Sequence, residues 1–331
     1  MSRRPNSRAL LLLTIANLAV VILVRCWITR SGGWLAYSVS CLPHLVGLPT
    51  AAILAASLYR RDLRAALINC AAAAIFLTAL MGFNIPWHHW RRCSGQSVRI
   101  MTYNVAQGAG GATAIASVIS SAGPQIVCLQ EVRDDAKRGD PLAALIRGLP
   151  GEWYAARHED LAVLSRFPFR RVTRHAMPLR PGRGIIVATV RVGGNVLSVV
   201  NTHPSGAAAQ RATSGGRLRR LARRMGATSR VISAQAEGTV AVARKAPGSA
   251  VVVGDFNMPR LSPAYRRISA GYRDAFRAAG WGFGYTYRSN RPFQRIDYVF
   301  VGNGIGVRDC RVIGSRASDH RPVVADLVLK P

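Results

Sequence analysis

The sequence predicts an α/β domain of two packed sheets with outer helices, carried behind three membrane-spanning helices. Three observations predict it. Through residues 93–331, short β-branched runs alternate with helical stretches, the pattern of a mixed fold. Gly193-Gly194-Asn195 separates two of those runs as a hairpin turn does, which places antiparallel neighbours in a sheet. Ahead of them, residues 9–28, 34–59 and 65–87 are apolar stretches. Each can cross a hydrocarbon core of about 30 Å, which takes ~20 helical residues.

The first stretch carries Asn17, two threonines and a near-terminal Arg25, whose charge can snorkel to the interface. The second holds no Lys, Arg, Asp or Glu, and Pro43 and Pro49 are expected to kink it. The third is also free of formal charge. Trp27, Trp34 and Trp87 mark span ends, where indoles favour the interface. Arg3, Arg4 and Arg8 resemble the start of a cleaved signal peptide, but two further spans and the lack of a clear A-x-A site argue against cleavage. The same arginines and the loop Arg60, Arg61 and Arg64 fall on one side of a three-span protein and outnumber Arg25 and Arg30 on the other. That bias puts the N-terminus in the cytoplasm and the C-terminal domain outside it, with Arg91 and Arg92 arguing mildly the other way. The expectation is a multi-pass cell-membrane protein with an anchor over 1–92 and a second domain over 93–331.

Charge is strongly positive throughout: +30 for the chain, +9 for residues 1–92 and +21 for 93–331. Anionic partners follow, either membrane lipid or nucleic acid. No C-x-x-C or Cys/His set points to structural zinc; Cys93 and Cys310 could pair, though no spacing demands it.

Within the second domain the pattern predicts a strand over 98–105, a Gly-rich loop over 107–111 and a helix over 112–122. A strand over 125–131 follows, then a helix over 140–148 with Pro141 in its first turn. Strands at 161–165, 185–192 and 196–202 precede a helix over 231–245. Strands at 250–254, 295–301 and 321–329 complete the order.

Six of these segments end on, or carry, a polar side chain. Val251-Val252-Val253-Gly254 is a buried strand that turns sharply at glycine and delivers Asp255 and Asn257 to one side. Others deliver Asn104, Glu131 and His203; Asp297 lies within a strand, and Asp319 and His320 sit before the last one. Each alone reads as a turn cap or a polar strand end. Six in one domain argue for a shared site.

The ordered segments TYNV, LQEV, NTH, GDFN, RIDYVF and SDHRPV resemble the endonuclease/exonuclease/phosphatase superfamily, over about residues 97–331. That superfamily includes DNase I-like nucleases, abasic-site endonucleases, inositol-phosphate phosphatases and neutral sphingomyelinases. LAVLSRFP at 161–168 and Arg183-Gly184 extend the likeness. The resemblance implies a four-layer α/β sandwich of DNase I type and metal-dependent phosphoester chemistry, and it leaves the substrate open. It implies Mg²⁺ (or Mn²⁺) on hard oxygen ligands, with Glu131 first, Asn104 beside it and Asp319 as a further ligand. By the same resemblance Asp255 takes or orients the proton of the attacking water, and Asn257 holds water or a non-bridging oxygen. His203 and His320 contact phosphoryl oxygen, and Asp297 fixes the tautomer of His320. Some relatives support the other histidine with a second carboxylate, for which Glu159 and Asp160 are the candidates. Gln125 departs from the pattern, since relatives often carry Asp there.

Residues 205–230 hold Arg211, Arg217, Arg219, Arg220, Arg223, Arg224 and Arg230 without an acid, and Leu218, Leu221 and Met225 recur on one helical face. A solvated basic loop is the plain alternative. The functional reading takes Arg217, Arg219, Arg220, Arg223 and Arg224 as substrate-binding, for anionic lipid head groups or a diphosphate. Nucleic-acid phosphates would attract the same set. The triple-span anchor with this domain further resembles the teicoplanin-resistance-associated membrane proteins, which implies a lipid-linked phosphate or an undecaprenyl diphosphate-like substrate in the bilayer. A surface-anchored nuclease is the alternative, favoured by charge. A non-catalytic scaffold is the third, and the complete polar set argues against it.

Overall fold

The structure is a computed structural model that describes residues 5–31, 34–87, 94–133, 140–205 and 216–330. Arg3, Arg4, Arg91, Arg92, Cys93 and Arg211 lie outside the described residues, as do the side chains of Arg217 and Leu218.

The N-terminal region folds as α1 (Pro5–Arg30), α2 (Trp34–Cys41), α3 (His44–Tyr59) and α4 (Leu63–Ile75), the last continued by a π-helical turn over Phe76–Met81. Arg8–Arg30 and Leu63–Met81 are long and apolar enough to cross a membrane; a third crossing exists only if α2 and α3 count as one, and they meet at 61°. The kink expected in the second stretch is present, at Pro43. Pro43, which has no N–H to donate, sits at the break. Before it, α2 keeps Val39 on the helical bundle and buries Tyr37 in a core cluster of the C-terminal domain. The predicted third span is shortened. It ends at Met81, where Gly82 takes the left-handed φ of 85° and Asn84 pairs with Gly282 of the second domain. Inside the bundle, Asn17 Nδ2 donates to Thr50 Oγ1 at 3.1 Å and Asn69 Nδ2 to Thr14 Oγ1 at 3.0 Å, while Leu12, Leu23, Leu48 and Leu67 face outward. Polar contacts inside and leucines outside suit a bundle solvated by lipid.

The second domain begins with β1 (Gln96–Asn104), α5 (Ala112–Ala122), β2 (Ile126–Gln130), α6 (Pro141–Arg147), β3 (Tyr154–His158) and β4 (Leu161–Ser165). It continues with β5 (Phe169–Ala176), β6 (Gly184–Val192), β7 (Asn195–Thr202), α7 (Arg217–Arg244) and β8 (Ser249–Asp255). It closes with α8 (Pro263–Ser269), β9 (Arg273–Asp274), α9 (Ala275–Ala279), β10 (Asp297–Val301), β11 (Ile305–Val312) and β12 (Val323–Leu329). The described strands form two six-stranded sheets, ordered β11-β12-β1-β2-β4-β3 and β5-β6-β7-β8-β10-β9. Alternate residues explain the layering. On β1, Val98 and Ile100 enter the inter-sheet core with Val199 and Val253, while Met101 and Tyr103 pack outward under α5 with Ile115 and Ile119. On the second sheet, Val200 and Val252 pack outward under α7 with Ile232 and Ala236. With both faces covered, strands read as continuous apolar runs, as the sequence does. The result is the expected α/β sandwich.

Two differences from the sequence reading matter. The helix expected over 231–245 starts at Arg217 and runs 28 residues, so the helical face read over Leu218, Leu221 and Met225 is its first half and the loop alternative falls for residues from Arg217 on. Met225 packs against the cluster that holds Tyr37, and Leu221 remains exposed, so the apolar face expected to enter a bilayer is in part occupied by α2. The short elements β3, β5, β9, β11, α8 and α9 were not legible in the pattern. Cys310 lies buried in the inter-sheet core.

One buried ion pair ties the end of the chain's second sheet together. Arg295 Nη1 and Nη2 donate to the two oxygens of Asp274 at 2.9 and 2.6 Å, and the Tyr265 hydroxyl donates to the same carboxylate at 2.7 Å. Arg295→Met would leave Asp274 charged, buried and without its cation. The expected loss is about 3–5 kcal/mol in denaturant unfolding; a loss below about 1 kcal/mol, the range of exposed pairs, would show the pair to be dispensable.

Candidate active site

The topology brings the polar strand ends to one edge. β1 runs parallel to β2, and β7 parallel to β8, so Asn104, Glu131, His203 and Asp255 emerge at carboxyl ends. β10 runs antiparallel to β8 with Asp297 opposite Asp255, and His320 precedes β12, which runs antiparallel to β1. Gly254 has φ 146°, and a Cβ there would lie 1.9 Å from Thr202 O, so only glycine lets β8 and β7 come this close beside the site.

Asp255 is the hub. Its Oδ1 accepts from the backbone N–H of Asn257 at 2.9 Å, and its Oδ2 accepts from Asn104 Nδ2 at 3.0 Å. Asn104 Nδ2 also donates to Glu131 Oε1 at 3.1 Å, so one amide bridges two carboxylates. Two imidazoles point at Asp255 Oδ2 through Nε2, His203 at 3.5 Å and His320 at 3.7 Å. Each has its Nδ1 held by a buried carboxylate: His203 by Asp160 at 2.8 Å and His320 by Asp297 at 2.9 Å. Both rings are thereby oriented with Nε2 toward the same point. Asn257 Nδ2 donates to Pro204 O at 3.0 Å, which ties the β8 end to the chain after His203.

The electrostatics follow from burial. Desolvation, reinforced by Asp297, pushes the Asp255 pKa up. For His320, burial favours the neutral ring, but Asp297 and Asp255 outweigh it and raise the pKa to about 10, which leaves a cation at neutral pH. Burial also opposes charge on Asp160, yet His203, Arg183 and Arg133 hold its pKa below the ordinary carboxylate range. Glu131 and Asn257 have left-handed φ values of 58° and 50°. Such conformations cost about 1–3 kcal/mol each and gather at functional sites.

The remaining candidates divide. Between Glu159 and Asp160, the structure selects Asp160 as the partner of His203; Glu159 is exposed on the turn before it. Asp319 is exposed, and its carboxylate accepts from Ser318 Oγ at 3.3 Å. Arg219, Arg220 and Arg223 are exposed on α7; among the described residues no hydrogen bond or ion pair joins them to the carboxylate–histidine cluster. Arg183, which the sequence offers with Gly184 as part of the family likeness but with no site role, reaches Asp160 Oδ2 at 3.3 Å and His203 O at 3.1 Å. Arg133 lies 3.7 Å from the same Asp160 oxygen and was not singled out at all. Neither arginine stands at a strand end of distinctive pattern; the position of Arg183 just before β6 was the one available cue.

A divalent cation fits the donor set. Asp255, Asp297 and His320 bring ligand atoms within 4.8 Å of one another, the ring serving as a ligand only in its neutral form. Asp297 Oδ1 is buried without a hydrogen-bond partner among the described residues, and the Glu131 side chain is 30% exposed at the rim. Hard oxygens of this kind suit Mg²⁺ or Mn²⁺.

The sequence profile described as the endonuclease/exonuclease/phosphatase family matches residues 101–320, a span that contains every member of this cluster. The chain belongs to that family. No curated protein sequence matches it. Several solved endonuclease/exonuclease/phosphatase structures share the fold. One from Beutenbergia cavernae is 24% identical, with 71% of this chain and 72% of that chain covered and a TM-score of 0.54. A mannosyl-6-phosphatase from Bacteroides thetaiotaomicron is 17% identical, covering 70% and 100%, at 0.55. A humanized TDP2 from D. rerio is 16% identical, covering 70% and 98%, at 0.53. These endonuclease/exonuclease/phosphatase likenesses show fold; the family itself joins phosphatases and nucleases, so a hydrolase acting on phosphate-bearing substrates is the class the chain falls in.

Proposed function

We propose that this chain is a membrane-anchored, metal-dependent phosphohydrolase that acts on a lipid-linked phosphate or diphosphate at the outer face of the cell membrane. The carrying observation is the convergence of two carboxylate-held imidazoles on Asp255, in a domain onto which the ends of the apolar helices dock. A tethered site of this kind meets membrane substrates at high effective concentration.

The roles are those the resemblance implies, and the geometry supports them. Glu131, at the open rim and oriented by Asn104, holds the metal, with Asp319 nearest in sequence to His320 as a further oxygen ligand. When bound there, the metal offsets phosphoryl charge and makes a nearby water more acidic. Asp255, buried and raised in pKa, accepts the proton of the attacking water. His320, cationic between Asp297 and Asp255, binds a non-bridging phosphoryl oxygen. His203 binds a second oxygen, and Asp160 keeps its ring in place. Asn257 donates to substrate or water once its amide turns from Pro204 O. The metal dependence and the lipid substrate are tested together by hydrolysis in detergent, with and without Mg²⁺, of polyprenyl diphosphate, sphingomyelin, inositol phosphates and DNA. Fast, metal-dependent turnover of the polyprenyl substrate is expected. Salt-sensitive cleavage of DNA alone would replace this reading with the nuclease, which the charge of +21 on residues 93–331 favours.

The arginine-rich half of α7 adds charge attraction toward an anionic membrane substrate, about 1 kcal/mol per residue near the surface. Its placement against α2 supports this, since Gly226 of α7 lies beside Trp34. Topology supports the outer face. The ends of α1, α2 and the π turn touch the second domain, so the loop Arg60–Arg64 lies at the far end of α3 and α4. A reporter active only outside the cytoplasm, fused after Pro331, is expected to be active; signal only from a cytoplasm-restricted reporter would invert the orientation.

A further inference from the structure

The anchor meets the second domain along a seam that the chemistry described above does not use. Gln294 Nε2 donates to Cys41 O at 2.6 Å at the break after α2, and the Tyr285 hydroxyl donates to Met81 O at 3.4 Å at the end of the π turn. Between them lies a cavity of about 30 Å³ bordered by Pro43, Met81, Arg260, Tyr285 and Phe293. That volume accommodates one small polar group.

Arg260 is the cation in this cleft and stands three residues beyond Asn257. Among the described residues its hydrogen bonds are made by Nη2 alone, to Ala79 O at 2.7 Å and Thr78 O at 3.4 Å. Nε and Nη1 retain donors. Among the described residues no carboxylate is ion-paired with it, and its charged neighbours include Arg25, Arg277 and Arg295. Asp274, the acid in that neighbourhood, is held by Arg295 and Tyr265. Burial among other cations lowers the Arg260 pKa to about 10, which still leaves it charged at neutral pH. A partly buried guanidinium with unused donors and no acid is suited to an anion.

Aromatic rings run from this cleft in two directions. Outward, Tyr285 stacks on Phe283 at 5.0 Å, Phe283 meets Phe83 at 5.0 Å, and Phe83 meets Trp281 at 5.8 Å. Trp281 is 67% exposed, as an indole at a membrane interface would be. Inward, Phe293 contacts Tyr287 at 6.1 Å, and Tyr287 lies 4.9 Å from the ring of His320. One apolar strip therefore links the ends of the membrane helices to a histidine of the site.

We propose that this seam is the loading track of the lipid substrate, with the phosphate-bearing head group collected at Arg260 and the hydrocarbon chain laid along Tyr285, Phe283 and Phe83. This rests on the lipid-linked reading of the site. The occupant is a lipid phosphate and not a bulk membrane lipid, because the strip is continuous with His320, and only a lipid whose phosphate is to be cut needs that continuity.

The test is photocrosslinking of the full chain in phosphatidylcholine nanodiscs with a non-hydrolysable phosphonate analogue of phosphatidic acid that carries a diazirine on its acyl chain. Adducts are expected on residues 81–83 and 281–285. They should fall about tenfold in Arg260→Gln, the loss of one charge-assisted hydrogen bond, and persist under excess phosphatidylglycerol. Because Arg260 also caps the π turn, Phe283→Ala provides a second variant that leaves those carbonyl bonds in place; it too should lower the adducts. Adducts mapped elsewhere, unchanged adducts in both variants, or equal competition by phosphatidylglycerol would overturn the proposal. If the wild-type chain hydrolyses no lipid phosphate, the functional reading fails, while the crosslinks still decide whether the seam binds this lipid.

Discussion

Asp255→Asn is expected to lower hydrolysis by about 10²–10⁴-fold, the range of a lost general base, while the protein stays folded. The carboxylate is buried beside Asp297, which is why its pKa is raised. A carboxylate with a raised native pKa binds more protons folded than unfolded, so above its unfolded pKa ionisation costs stability, and the cost is complete once pH exceeds the folded value. Asparagine keeps the shape and an oxygen for the Asn257 N–H and removes the base; relief of the repulsion with Asp297 is offset by the acceptor that Asn104 Nδ2 and His320 lose at the Oδ2 position. Activity and thermal midpoint should therefore move independently. Near-normal turnover would remove Asp255 from the mechanism, and a large fall in midpoint would recast it as a structural residue.

Glu131→Gln is expected to cost about as much, several kcal/mol of transition-state stabilisation or on the order of 10³-fold, and to blunt the response to added Mg²⁺. Glutamine keeps an oxygen for Asn104 Nδ2, so the bridge to Asp255 survives and the loss isolates the charge. Titration calorimetry with Mg²⁺ or Mn²⁺ on wild type and variant separates binding from catalysis. Equal affinity in the two proteins would move the metal elsewhere, toward the Asp255, Asp297 and His320 group.

Much of the site was legible because its residues end strands of strong pattern. Val251-Val252-Val253-Gly254 announces a buried strand and a turn whatever follows, and the polar residue after it stands out. Asp160 was legible only as one of two adjacent acids, since Glu159 and Asp160 share the two-residue turn between β3 and β4; the hydrogen bond to His203 at 2.8 Å decides between them. Arg183 and Arg133 were hidden among many other arginines. An arginine gains meaning from the carboxylate it faces, and that pairing spans sequence distances no local pattern carries. β5 was missed because Phe-Arg-Arg-Val-Thr-Arg-His-Ala occupies a sheet edge where cations are tolerated and alternation is lost.

By itself the sequence determined the mixed α/β pattern, most of the core strands, the apolar N-terminal helices and the identity of the six polar strand ends, because each rests on local periodicity or on residues a few positions apart; the four-layer sandwich came from the ordered motifs and the family they resemble. Only the tertiary structure decided that two imidazoles share one aspartate, that α2 buries Tyr37 against the second domain, that the last apolar helix stops at Met81, and that the arginine-rich segment is the first half of a 28-residue helix. The physical reason is common to all four. Apolar composition permits a helix to sit in lipid or against a protein core equally well, and a charged side chain permits several partners; the choice is made by packing and hydrogen bonds between segments remote in sequence.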